Sequence, residues 1–549
     1  VLTSDDLLTL APTATATTLR PDEIGHPDGT SGGEVDSPGT RSRDGLIVAG
    51  FVVVATLLRV PTLGRSYWVD EAISVGIASH PVTQIPALLR DDGSPPLWYF
   101  LLHFWMLAAG SSPVATHVLA LLVSLVVTPL AYWAGRQLFG RPAALCAAAL
   151  SATSPFLNWY GTENRMYTLV VAISLVAVTL TVRAVRDRSR RDAIGAVVAF
   201  AALDYTHNWG LYLTAVTVLY LAGRALAARD RGLLAWVLGG GAAVVLLYLP
   251  WLPSFLEQAS TTAAPWAVAP LFSDLVADPT TLVGGTAGAV VAPVLVGAVL
   301  WTRGRRTART SQAATVLVSI TLGVTVLGWL AAQIEPSWTV RYLAVTLAGW
   351  ILAAAGALGA SRTGRRVVVA VTVGLATWSV VGALLPDANP DAAKDNAGAI
   401  AGAAAPLLHA GDLVVVSQTE QVPVLAHYLP AGLTYFNPMG RVDDPSVVDW
   451  RHIIPRLQQA DACRTIEPAV NAAPVGTRIL EVLPLDPVGA PGSAWSRAAH
   501  RQVMAIDALL GRDRSLQLQR SFTEAIDPKP YSPVIAVLFV KVSDHTSCA

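Results

Sequence analysis

Ser66-Tyr67-Trp68-Val69-Asp70-Glu71-Ala72-Ile73-Ser74 places two adjacent carboxylates directly behind an aromatic pair, just after the first strongly apolar run of the chain. Tyr and Trp collect at membrane–water boundaries, where an amphipathic ring has one apolar and one wet side. The stretch therefore reads as the point where the chain leaves a bilayer. Ionisable groups at such a point, near the interior of a helical bundle, are expensive to keep and usually functional. The plain alternative is an acidic pair that merely ends a helix. A second polar cluster follows, Asp91-Asp92-Gly93-Ser94-Pro95-Pro96-Leu97-Trp98-Tyr99, whose prolines impose an extended entry into the next helix.

Composition agrees with a membrane setting. Of 549 residues, 53% are hydrophobic and 14% charged, with mean hydropathy +0.50; soluble domains carry about 25% charged residues. Lys+Arg and Asp+Glu both number 38, so no net field points to nucleic acid. Cys146, Cys463 and Cys548 form no Cys-x-x-Cys pair, which argues against a structural zinc site. Residues 1–44 are rich in Thr, Asp, Gly, Ser and Pro without an apolar run. They are expected to be a disordered cytoplasmic segment.

Apolar segments follow at 46–63, 96–109, 114–135, 142–157, 166–182, 193–206, 210–223, 233–250, 286–301, 312–333, 341–360 and 367–385. A spanning helix needs about 20 apolar residues. Arginines cluster at 183–191, 224–231, 303–309 and 362–366, and neighbouring clusters are separated by two apolar segments. Because Lys and Arg accumulate in cytoplasmic loops, all four clusters lie inside, as do Arg41 and Arg43. Asp70, residues 158–165, 204–210, 253–285 and 334–341, and everything after 386 then lie outside. Twelve segments are one too many for that arrangement. Either 96–109 dips in and returns, or 142–157 does not span. Residues 253–285, with Trp266, Phe272, Asp274 and Asp278, read as a partly ordered lid or a passive connector.

After 386 the pattern changes to alternating helices and strands, typified by the short β-branched run Asp412-Leu-Val-Val-Val-Ser417. The expected fold is an α-helical polytopic membrane protein with 11–13 transmembrane helices over 45–385, a first external loop at 64–95 and an extracytoplasmic α/β domain at 386–549. Disulfides persist outside the membrane, so Cys463 and Cys548 are expected to pair. Cys146, in an apolar segment, reads as inert packing.

A carboxylate such as Asp70 can take a proton from an attacking hydroxyl as general base, and with Glu71 it could share a divalent cation. No other cofactor is expected. In Asn158-Trp-Tyr-Gly-Thr-Glu-Asn-Arg-Met-Tyr167, Arg165 offers a donor fork suited to phosphate oxygens; the bland reading is a snorkelling arginine. Glu163 could join a metal site. His207 is the chemical candidate within Asp204–Gly210, and Arg341 stands at a helix start as a phosphate ligand or an interfacial anchor. Asp91 and Asp92 read as substrate-binding groups or a simple turn, and His103 as a cavity group or a packing histidine.

These pieces together resemble the integral-membrane glycosyltransferases of the GT-C fold, in particular the protein-mannosyltransferase-like and aminoarabinose-transferase-like group. The resemblance rests on Trp68-Val-Asp70-Glu71, Asp92-Gly-Ser-Pro-Pro-Leu-Trp-Tyr99 with His103, and Ser154-Pro-Phe156 with Glu163-Asn-Arg165-Met-Tyr167. It continues through Tyr205-Thr-His207, Pro250-Trp-Leu-Pro253 and Arg341-Tyr-Leu343. It implies Asp70 as catalytic base with Glu71 as substitute or helper. Arg165, His207 and Arg341 would lie near the phosphate of a polyprenyl-phosphate sugar; Tyr167 is a further candidate there, and Asp91, Asp92, Tyr99 and His103 are candidates for binding acceptor or substrate. Asn164 stands where the family often has an acidic residue or glutamine, which weakens a metal role for this stretch. The implied partners are a polyprenyl-phosphate sugar, a cell-envelope glycan or glycolipid and the lipid bilayer. Mannose is the expected sugar, with arabinose or another pentose as the alternative, in the plasma membrane. The rival class is a transporter or flippase for a lipid-linked sugar; internal repeats, common in transporters, are not evident between the halves.

Overall fold

The computed structural model describes residues 38–262, 264–301, 308–384, 394–485, 493–526 and 532–544. Leu46–Ala549 forms one compact unit and Val1–Gly45 another. The first helix, α1 (Pro38–Arg59), begins inside the stretch expected to be disordered; residues 1–37 lie outside the described residues.

The loop after α1 carries two short helices, α2 (Val69–Ser79) and α3 (Ile85–Asp92). Then come α4 (Leu97–Ala109), α5 (Pro113–Phe139), α6 (Arg141–Ala152), α7 (Pro155–Trp159) and α8 (Tyr167–Asp187). They are followed by α9 (Arg190–Asp204), α10 (Gly210–Ala227) and α11 (Arg231–Tyr248). The stretch expected as a lid or connector holds α12 (Leu252–Thr261) and α13 (Asp274–Gly284). The apolar part closes with α14 (Gly288–Trp301), α15 (Ala308–Ile334), α16 (Ala344–Gly359) and α17 (Arg362–Leu384).

Among the described residues, 8 helices are long and apolar enough to cross a bilayer. They correspond to α1, α5, α8, α10, α11, α15, α16 and α17, while α4, α6, α9 and α14 are shorter. Together they match the apolar segments of the sequence one for one.

Of the two segments in question, α4 has 13 residues, which rise only about 20 Å, short of the roughly 30 Å hydrocarbon core. Both its ends are tied to distant parts of the chain: Leu97 N donates to Tyr205 O at 2.9 Å, and just beyond the other end Tyr67 Oη donates to Ser111 O at 3.0 Å and meets Thr116 Oγ1 at 2.6 Å. The equally short α6 instead continues through a break at Thr153-Ser154 into α7, whose first turn Ser154 Oγ caps. The buried Arg59 guanidinium satisfies a carbonyl freed at this break, reaching Ser151 O at 3.2 Å, and also donates to Ser124 O of α5 at 3.1 Å. Elsewhere, Arg183 donates to Gln137 Oε1 at 3.0 Å and pairs with Asp192 at 3.1 Å, and Arg188 pairs with Asp230.

The C-terminal part holds a six-stranded sheet of order β3-β2-β1-β4-β6-β5. Its strands are β1 (Leu413–Val416), β2 (Thr434–Asn437), β3 (Gly440–Arg441), β4 (Arg478–Pro484), β5 (Leu516–Phe522) and β6 (Val534–Lys541). β1 pairs in parallel with β2 and β4; the outer pairings are antiparallel. One sheet face packs on α18 (Ala397–Ala404), α19 (Val422–Tyr428) and residues Tyr67, Ala72 and Val75 around α2. The chain then forms α20 (Ile453–Gln459), α21 (Ala462–Thr465), α22 (Glu467–Ala472) and α23 (Ala494–Arg512). The other sheet face packs on α21, α22 and α23. Cys463 is disulfide-bonded and Cys146 is free and buried; Cys548 lies outside the described residues.

The sheet is docked onto the helices beside α2. A Cβ on Gly76 would lie 1.7 Å from Ser446 O, so only glycine lets that backbone approach. His80 Nε2 meets Asp444 Oδ2 at 2.8 Å, Arg451 pairs with Asp91 at 3.1 Å, and Trp450 N donates to Asp91 O at 2.9 Å.

Candidate active site

The site is built where α2 starts. Trp68 takes an extended conformation before the helix, and its N–H donates to Glu71 Oε2 at 3.3 Å, as in a capping box. Glu71 is held further by the Asn164 N–H at 2.8 Å and by His117 Nε2 at 2.9 Å. Burial alone would raise its pKa, but His117, Lys394 and the backbone bond hold it below the usual carboxylate value.

Asp70, one residue earlier, faces a different set of partners. Its Oδ2 accepts from Arg341 at 3.0 Å, with side-chain exposures of 17% for the arginine and 22% for the aspartate. Arg341 comes from the 3-10 turn Val340–Leu343 that opens into α16. Its guanidinium lies over the rings of Trp68 and Tyr342, 5.9 and 5.7 Å from their centroids, an arrangement that stabilises a desolvated cation.

Arg165, from the loop before α8, donates to Asp70 O at 3.4 Å, Ser74 Oγ at 2.8 Å and Tyr99 Oη at 3.2 Å. Tyr99 in turn donates to Asp92 Oδ2 at 3.3 Å. Gly93, at φ 98°, ends α3 in the left-handed conformation that glycine favours. The chain then turns through Ser94-Pro95-Pro96, which sets Tyr99 one turn into α4. Burial raises the Asp92 pKa, opposed by Arg165. Burial would discharge Arg165, but the oxygens of Tyr99, Tyr167, Asp70 and Asp92 around it raise its pKa further.

Aromatic rings line the floor. Tyr160 packs on Tyr167 at 4.9 Å, Tyr167 on His207 at 6.0 Å, and His207 on Tyr342 at 4.9 Å. His207 Nδ1 accepts from the Trp209 N–H at 3.1 Å. Burial, Arg165 and Arg341 push its pKa down to about 3, so it is neutral.

Lys394, which precedes α18, completes the cluster. It pairs with the buried Glu163, and its ammonium lies 5.5, 4.8 and 5.4 Å from the rings of Trp68, Trp159 and Tyr160. Its backbone is fixed to the sheet, since Ser532 N donates to Lys394 O at 2.9 Å. Trp68 Nε1, Arg165 Nε, Tyr167 Oη, Arg341 Nε and both side-chain polar atoms of Asn164 are buried without a hydrogen-bond partner among the described residues.

The structure thus brings together Asp70, Asp92, Tyr99, Arg165, Tyr167, His207 and Arg341. It gives other expected site residues different work. Asp91 is taken by Arg451 and Trp450 in the docking contact. His103 Nδ1 bonds Ala78 O at 2.8 Å and ties α4 to α2. Glu71 and Glu163, the metal candidates, are bound to His117 and Lys394. Among the described residues, no three His, Cys, Asp or Glu side chains are grouped to hold a metal ion.

A family model described as dolichyl-phosphate-mannose-protein mannosyltransferase matches residues 93–253, which include Tyr99, Arg165 and His207 but neither Asp70 nor Arg341. A comparison with curated proteins finds no match. Among solved structures, the chain is similar to ArnT from Cupriavidus metallidurans in the apo state, at 13% identity over 91% of this chain and 98% of that one, TM-score 0.58. ArnT bound to undecaprenyl phosphate gives 14% identity, coverage of 90% and 98%, and TM-score 0.52. Arabinofuranosyltransferase AftD from Mycobacteria gives 14% identity over 92% of this chain and 40% of that one, TM-score 0.51. The chain has the GT-C fold of integral-membrane glycosyltransferases.

Proposed function

We propose that the protein transfers a sugar from a polyprenyl-phosphate donor to a hydroxyl of a cell-envelope glycan or glycolipid. The observation that carries this reading is the convergence of Asp70, from the first loop, with Arg341 and Arg165, from two other parts of the chain, on one aromatic-lined cluster. The carboxylate of Asp70 takes the proton of the attacking hydroxyl as the sugar–phosphate bond breaks. Arg341, Arg165 and Lys394 offset the charge growing on the departing lipid phosphate, an electrostatic contribution that is usually the largest in such sites. A single displacement inverts the anomeric carbon, so a β-linked donor yields an α-linked product. Glu71 acts as a positioning residue: its bonds to the Trp68 and Asn164 N–H groups fix the start of α2 and the loop that carries Arg165.

The lipid tail has a seat of suitable chemistry. An apolar groove of about 320 Å³, lined by Leu150, Val283, Leu347, Trp350 and Ile351 among others, runs among α13–α17. Mannose is the proposed sugar, supported by the description of the matching family model, and arabinose is the second reading, supported by the likeness to AftD. The site opens on the outer face of the plasma membrane in this reading, opposite the arginine clusters.

Membranes carrying the wild-type chain or Asp70→Asn are supplied with polyprenyl-phosphate mannose and polyprenyl-phosphate arabinose, each labelled in the sugar. Transfer from one donor by the wild type, and its loss in the variant at equal expression, is the expected result. Equal transfer by both chains would remove the mechanism.

A further inference from the structure

In a parallel sheet, ligands bind at the carboxyl ends of strands where the chain order reverses. Here that point lies between β1 and β4. The chain leaves β1 to one side, through α19 to β2, and its helix packs on one sheet face; β4 lies on the other side of β1, and the helix that follows it, α23, packs on the opposite face. The segment at the end of β1 is Ser417-Gln418-Thr419-Glu420-Gln421, five consecutive polar residues, and all of them are buried.

Their polar groups are largely unspent. Gln418 Nε2 donates to Glu420, and Gln421 Nε2 reaches Ser532 Oγ at 3.3 Å. Ser417 Oγ, Gln418 Oε1, Thr419 Oγ1, Glu420 Oε2, Gln421 Oε1 and the adjacent Asp395 Oδ2 have no partner among the described residues. Buried polar groups are normally paired, because an unmade bond forfeits their hydration. The turn Thr419–Gln421 packs on α2, the helix that carries Asp70, and Glu420 lies within electrostatic reach of Asp70.

The unpaired atoms are mostly acceptors, and two are carboxylate oxygens. That set repels an anionic phosphate and suits a neutral ligand rich in hydroxyl donors. The cations that suit a phosphate, Arg165, Arg341 and Lys394, come from other segments of the chain.

We propose that the turn at 417–421, with Asp395, is a sugar-binding subsite that presents an acceptor hydroxyl to Asp70. This rests on the glycosyl-transfer reading for the identity of its ligand as the acceptor. The sheet is thereby part of the active site, and the docking of Gly76 against Ser446 fixes the distance between subsite and base. Burial pushes the Glu420 carboxyl up to about 7, so near neutral pH it can donate as well as accept.

The test uses the full chain in detergent. Saturation-transfer NMR measures contact with methyl glycosides of mannose, arabinose, galactose and glucose, and thermal shift measures binding of undecaprenyl phosphate. Wild type is expected to bind at least one glycoside. Glu420→Ala and Gln421→Ala are expected to bind it at least tenfold more weakly, with undecaprenyl phosphate binding unchanged. A wild-type chain that contacts no glycoside, variants that bind like wild type, or variants that lose both ligands together would overturn the proposal. A wild-type chain that binds a glycoside weakened by these substitutions, but no undecaprenyl phosphate, would leave this subsite standing and remove the donor reading instead.

Discussion

The two sides of the first turn of α2 carry neighbouring carboxylates with opposite surroundings. Asp70 keeps 22% of its side chain exposed and meets one guanidinium, which itself has an unpaired Nε. Glu71 keeps 5% and is bound by two backbone N–H groups and His117. A carboxylate that still reaches water and shares a cation can exchange protons with a substrate; one whose lone pairs are filled by its own chain can only hold that chain in place. Adjacent acids in a sequence therefore do not imply a shared role, because successive residues of a helix point about 100° apart.

Substitutions test that contrast. Asp70→Asn is expected to have the largest effect, lowering transfer by roughly 10²–10⁴ with melting temperature and detergent elution unchanged. Arg341→Ala should cost transfer roughly 10²–10³, with lysine at the same position restoring only part, since it lacks the planar fork. Lys394→Ala removes one of three cations and should lower kcat/KM roughly 10–100-fold, the range of a hydrogen bond to a charged group. Glu71→Gln should do the reverse of Asp70→Asn. Breaking a buried pair costs about 3–5 kcal/mol, read as a fall in thermal stability, while transfer per folded molecule stays within about threefold of wild type. Were Glu71→Gln to abolish transfer in a fully folded chain, the division of labour within α2 would be wrong. His103→Gln should be smallest, within about a factor of two in transfer, as for substitutions away from such features.

Much of the apolar architecture was legible because a bilayer imposes a long, simple pattern: the apolar segments became helices, with 142–157 broken into α6 and α7. The parity conflict pointed to one surplus segment before residue 158. It could not choose between α4 and α6, because both are short. In the C-terminal part, β1 was visible as a β-branched run, whereas β2, of the same length, has one β-branched residue, Thr434, and β5 is a mostly exposed edge of mixed polarity. Asp70, Arg165 and Arg341 stood out as charges in short gaps between apolar runs. Lys394 and Glu420 did not, because they lie in a polar region where charge is ordinary, and only folding brings them against α2. Their rarity was the available signal for Lys394: it is the first of three lysines in the chain.

The central claim is that Asp70 and the cations around it form one donor-phosphate site with separable duties. Undecaprenyl phosphate binding to the purified chain, measured by thermal shift for wild type, Asp70→Asn and the Arg165→Ala/Arg341→Ala double variant, tests it most directly. The account predicts that Asp70→Asn binds the lipid phosphate at least as tightly as wild type, having lost a neighbouring negative charge, and that the double arginine variant binds at least tenfold more weakly. Unchanged binding in the arginine variant would contradict it.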